Sequence, residues 1–163
     1  MLREPEAGDR AAVIELFTSP EVGTYIGGPR PREELEGAVP EVPGQRPGFF
    51  VVELDGAMIG IVTLDRRGPE RPGHIRPEGG EAELGYMFLP QAWGYGYATE
   101  ACAAALDWFA DTLPGEPVVL TPLPFSWPRN GAPGPRVRYG CVPPVVRMTW
   151  GVLPPGFGAP LDR

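Results

Sequence analysis

The sequence predicts a mixed α/β fold (α+β), a mostly antiparallel sheet flanked by helices, and three observations carry that expectation. Phe49–Leu54 and residues 58–64 are apolar runs separated by Asp55-Gly56, a two-residue hairpin signal because Gly tolerates positive φ. Residues 81–89 form a third extended run that leads, past Gly94 and Gly96, into a helical pattern over 99–112. Near the start, Val13, Ile14, Leu16 and Phe17 follow Asp9 at helical spacing.

Taken in order, Asp9 is a candidate N-cap for the first helix. Residues 19–31 read as turn-rich, with Gly27-Gly28-Pro29 among them. Residues 33–38 predict a second short helix, with acids in its first turn where the macrodipole favours them. The hairpin follows, then a loop of Arg, Pro and Gly over 66–80. Strand alternation in the third extended run puts Glu81, Glu83 and Gly85 on one face and Ala82, Leu84 and Tyr86 on the other. Along the next helix, Ala98, Ala101, Cys102, Ala105 and Phe109 share a face, mostly small, that suits close packing on a sheet. Cys102 reads there as a small buried apolar residue, and Tyr86 either as a core aromatic or as a residue lining a substrate side. Residues 117–120 are a short apolar strand. No internal repeat is present.

Composition narrows the function. The 163 residues suit a single domain. There is no lysine, so a Walker phosphate loop and Schiff-base chemistry are excluded. Two Cys and one His are too few for a conventional zinc site or a disulfide scaffold, so no metal is expected. The net charge of −7 argues against nucleic acid as a partner. Residues 1–17 are too charged for a secretory signal, and no apolar run approaches a membrane span. A cytoplasmic protein with reduced thiols and no membrane partner is expected.

The stretch from Glu81 to Ala101, EAELGYMFLPQAWGYGYATEA, carries the chemistry. A strand enters a loop with two glycines, and the loop opens a helix. The first N–H groups of a helix lack internal partners, and its dipole adds positive character. Glycines let an anion approach the backbone. Together these form a phosphate cradle that requires no lysine; a turn with glycine for packing alone is the other reading. A dinucleotide fingerprint is disfavoured, because Thr99 stands where its third Gly or Ala belongs and the hairpin makes the upstream strands antiparallel.

Gln91-Ala92-Trp93-Gly94-Tyr95-Gly96 resembles the Q/R-x-x-G-x-G/A signature of the GNAT N-acetyltransferases. The runs Gly85-Tyr86-Met87-Phe88-Leu89 and Trp93-Gly94 through Gly96-Tyr97-Ala98-Thr99-Glu100-Ala101 look like its ribosomal-protein N-acetyltransferase (RimJ/RimL-like) branch, as do Leu2-Arg3-Glu4-Pro5 and the helix after Asp9. The resemblance covers about residues 1–120. It implies a GNAT-like sheet and acetyl-CoA as cosubstrate. Backbone N–H groups of Gln91, Ala92, Trp93, Gly94, Tyr95, Gly96, Tyr97 and Ala98 would hold the pyrophosphate. The third strand would splay from its neighbour after Leu89, and the pantetheine arm would pair with the backbone of Met87, Phe88 and Leu89. The acceptor implied is a primary amine, on a protein N-terminus or a small molecule. Glu83 is the candidate general base, where relatives often carry an acid; apolar walls would raise its pKa toward neutrality. Its other reading is a solvated strand residue. His74 has the chemistry of a base, and Arg66, Arg67, Arg71 and Arg76 that of contacts to an acidic partner or coenzyme phosphate, but their place in a Pro/Gly-rich loop reads first as a solvated surface. Dimers are common among relatives, which leaves a homodimer open.

The pattern breaks near Thr121. Residues 1–120 hold 20 acids and 9 arginines, a charge of −11, whereas 121–163 hold one acid and 5 arginines, +4. The latter also hold 10 of the 23 prolines. The family continues with an Asn-x-x-Ser helix, but Pro122, Pro124, Pro128, Pro133 and Pro135 forbid a regular helix here. Short strands over 136–141 and 145–153 are expected instead, and Tyr139 is a weak stand-in for the family's general acid. The Pro-rich third is either a divergent closure of the same domain or out-of-frame sequence from a GC-rich gene. In the second case coenzyme binding survives and turnover is impaired.

Overall fold

The structure is a computed structural model that describes residues 1–70 and 74–120. Five strands form one sheet in the order β1-β2-β3-β4-β5. They are β1 (Leu2–Arg3), β2 (Phe49–Leu54), β3 (Ala57–Arg66), β4 (Ala82–Phe88) and β5 (Val118–Val119). Neighbours are antiparallel except β4 and β5, which run parallel. The helices are α1 (Arg10–Thr18), α2 (Pro20–Ile26), α3 (Arg32–Ala38) and α4 (Tyr97–Thr112).

The hairpin turns where the sequence requires it. Asp55 and Gly56 both take positive φ, the left-handed conformation of a tight two-residue turn. Strand alternation then sorts apolar side chains onto two faces. Val52, Val62, Leu64, Leu84 and Phe88 meet Ala101, Ala105 and Phe109 of α4. Val51, Ile61 and Met58 meet Val13 and Leu16 of α1 and Val22 of α2 on the opposite face. The result is a sheet between two helical layers, each face burying its own core. Ala105 is fully buried, so α4 lies close to the sheet, and Ala98 and Cys102 pack at the margin of that contact.

Three expectations change, and one strand is added. The turn-rich stretch 19–31 contains α2: Ser19 Oγ accepts the Val22 N–H at 3.3 Å, Pro20 occupies the first turn, and Gly27 closes the helix at φ 94°. Leu2 and Arg3 form an edge strand opposite Val52 and Val51. Tyr86 is not a core aromatic but is 50% exposed. His74 and the arginine loop are not a solvated segment. Arg67 is 5% exposed, Arg66 pairs with buried Glu116, and His74 bonds to fully buried Glu81. Arg71, Tyr139 and the strands expected over 136–141 and 145–153 lie outside the described residues.

Candidate functional site

The site candidate is the junction from β4 to α4. Leu89 is buried, and residues Pro90–Ala92 make one tight turn in which Ala92 N–H donates to Leu89 O at 2.9 Å and Trp93 N–H to Pro90 O at 3.1 Å. The Trp93 indole Nε1 reaches back to Phe88 O at 2.8 Å and ties the loop to the strand end. Its ring meets Tyr25 of α2 edge-on, with centroids 5.8 Å apart. Gly94 and Gly96 then take φ of 83° and 86°. A Cβ added at either would meet nothing within 4 Å, so these glycines are demanded by backbone conformation and face open space.

The 16-residue α4 starts directly after Gly96. The Glu100 N–H donates to Gly96 O at 3.1 Å, so the N–H groups of Tyr97, Ala98 and Thr99 precede the first intrahelical donor. With the helix dipole behind them, they are donors of the kind that accept an anion. Gln91, Gly94, Tyr95 and Gly96 are exposed beside it, and Tyr95 stacks on Tyr97 at 5.7 Å. The N–H groups of Ala92 and Trp93 are spent inside their own turn, unlike those at the start of α4. The chain therefore fits a pyrophosphate here without a basic side chain.

β4 adds a strand edge. Leu89 N–H donates to Ile59 O at 2.9 Å, and Ile61 stands opposite Met87. In an antiparallel ladder, alternate residues turn both backbone groups to the same neighbour. Met87 and Leu89 therefore point at β3, whereas Tyr86 and Phe88 point at the other edge. That edge pairs with β5 only at Ala82 and Glu83 among the described residues. Of the run Met87-Phe88-Leu89, only Phe88 turns its backbone outward, together with Tyr86 before it, and the Phe88 carbonyl already accepts the Trp93 indole N–H. Spacing alone could not show this, because the parity is set by the register with β3.

Glu83 lies on the face predicted for it, its side chain 14% exposed. Its surroundings are charged rather than apolar: Arg67 Nη1 is 3.8 Å from Glu83 Oε1, and Asp65 stands directly opposite on β3. Two residues earlier, Glu81 is fully buried. Its carboxylate accepts from His74 Nδ1 at 2.7 Å, Ile75 N–H at 2.7 Å and Arg76 N–H at 2.8 Å. Burial alone would raise its pKa, but these donors outweigh it and hold the group at about 2. Cys102 is pushed up by burial to about 11, which keeps it a thiol at neutral pH and fits its packing role. A shallow hollow of about 170 Å³ lies elsewhere, between α4 and the β1–β2 edge, lined by Leu2, Val52, Glu53, Tyr97 and Glu100. It holds neither Glu83 nor the cradle glycines.

A mostly antiparallel sheet, with a β4 edge left open and a glycine-rich turn into a helix N-terminus, defines a coenzyme-binding α/β protein. The family follows: the Acetyltransferase (GNAT) domain matches residues 1–130, and the chain belongs to the GNAT acetyltransferases. Solved structures agree on the fold. An acetyltransferase (GNAT family) from Bacillus anthracis is 24% identical with a TM-score of 0.55, covering 73% of this chain and 67% of that one. The loading GNATL domain of CurA from Lyngbya majuscula is 21% identical with a TM-score of 0.51, covering 74% and 63%. No curated protein matches the chain. The family's fold supports acyl transfer from an acyl-CoA. Among the described residues no helix is long and apolar enough to cross a membrane, and no cluster of three metal-ligating side chains occurs.

Proposed function

We propose that the chain moves an acetyl group from acetyl-CoA to a primary amine by direct attack, in the cytoplasm. The single observation that supports this most is the Gly94–Ala98 cradle lying at the end of an open β4 edge. The cradle is built for a pyrophosphate, and the edge for an extended arm beside it. The amine nitrogen attacks the thioester carbonyl carbon; the new C–N bond forms, the C–S bond breaks, and coenzyme A leaves as thiolate. The outward N–H of Tyr86 or Phe88 faces the charge that develops on the carbonyl oxygen. Glu83 takes the proton that the amine must lose. The acceptor is a protein N-terminal amine or a small cationic amine, which the acidic 1–120 region would attract.

A thiol-release assay over a panel of amines tests the reading. Turnover with at least one amine is expected, and E83Q should lower kcat by about 10²–10⁴-fold while leaving acetyl-CoA binding intact. A panel without thiol release overturns it. The second reading is an acyl-CoA-binding GNAT protein impaired in turnover. It is favoured by prolines 122, 124, 128, 133 and 135, which stand where the family's next helix would run. It predicts acetyl-CoA binding with no thiol released.

A further inference from the structure

Glu83 and Asp65 face each other across the β3–β4 ladder, two carboxylates in directly opposed positions. Like charges so placed repel. Each is met by its own arginine. Asp65, near the surface, pairs with Arg46, and Glu83, nearly buried, has Arg67 at 3.8 Å. That spacing is an ion pair rather than a hydrogen bond, but the Arg67 side chain is only 5% exposed, so the attraction is weakly screened.

The backbone that carries Arg67 is also fixed. Its N–H donates to Glu81 O at 2.9 Å, which extends the β3–β4 ladder by one pair. Arg66 before it turns the other way, to Gly80 O at 3.0 Å and to Glu116. The Glu81 carboxylate gathers His74 and the 75–76 backbone and so fixes the returning loop. A long, buried cationic side chain thus leaves a fixed stretch of backbone beside the one carboxylate to which the acetyl-transfer reading gives a chemical role.

We propose that Arg67 is a positioning residue for Glu83: it holds the carboxylate in one place and orientation on β4, against the repulsion of Asp65. The inference rests on the reading of Glu83 as proton acceptor. It makes Arg67 act through Glu83, with no contact to the thioester.

The test is a double-mutant cycle on the full chain, with kcat, the KM for acetyl-CoA and the melting midpoint measured for wild type, R67M, R67K, E83Q and R67M/E83Q. R67M should lower kcat about a hundredfold, the scale of a misplaced catalytic group, with the KM for acetyl-CoA unchanged. R67K should recover most of the loss. On the E83Q background R67M should change kcat no further. An R67M that keeps wild-type kcat, or that loses equally in both backgrounds, overturns the inference and leaves the acetyl-transfer reading standing. If R67M does not fold, R67K carries the same comparison at smaller amplitude. If wild type binds acetyl-CoA but acetylates no amine, the acetyl-transfer reading falls instead. The pairing is then read from the Glu83 side-chain carboxyl ¹³C resonance, which must move in R67M or R67K; an unmoved resonance overturns the pairing.

Discussion

Gly96 holds φ at 86° with open space where a side chain would stand, and so its conformational and functional roles can be separated. G96V should lose about 1–2 kcal/mol of stability from left-handed strain and should also lose acetyl-CoA binding. Gly27 is the control. It takes φ 94°, also with nothing near an added Cβ, but lies at the end of α2. G27V should show the strain and keep the binding, by thermal melt and titration calorimetry. Glu81 gives a pH signature. Its folded pKa of about 2 lies below the ordinary 4.5, so its contribution is present above pH 4.5 and lost as pH falls toward 2. E81Q should be less stable at neutral pH and show a shallower loss on acidification. Equal acid sensitivity of the two proteins would contradict that role. The Gly94-x-Gly96 cradle was legible in the sequence because its parts are contiguous. The contacts of Arg67, His74 and Glu81 were not, because they depend on β3–β4 register and on how the 66–80 loop folds back.

At the scale of elements, α4 positions the cradle, and its hold on the sheet comes from Ala101, Ala105 and Phe109. Phe109 is 2% exposed, and F109A should cost about 3–5 kcal/mol. A105L, at a fully buried contact, should cost about 1–3 kcal/mol by forcing α4 away. Denaturant titrations measure both. The face of α4 could be read beforehand, since helical spacing alone gathers those residues. The hairpin could be read from Asp55-Gly56. α2 was hidden by the glycines and prolines that end it, although Ser19-Pro20 is itself a start signal. β1 is too short, at two residues, to have a periodicity.

At the scale of the molecule, the described fold is a three-layer GNAT sheet whose β4 is paired on one side and largely open on the other. The open edge and the helix N-terminus converge on the same end of the sheet. On the proposed reading, that convergence connects the fold to coenzyme binding. Because residues 1–120 carry a charge of −11, association with a cationic amine should slow as salt rises, which stopped-flow measurement would show.

The central claim is that the Gly94–Ala98 cradle binds acetyl-CoA. Its most direct test is a thermal melt of the pure protein with and without that cosubstrate. At about 100 times the dissociation constant, binding should add about 2.7 kcal/mol, enough to raise the midpoint by several degrees in a domain of this size. A rise that disappears in G96V but persists in G27V is the predicted result. A cooperative melt with an unmoved midpoint at saturating acetyl-CoA would contradict the account.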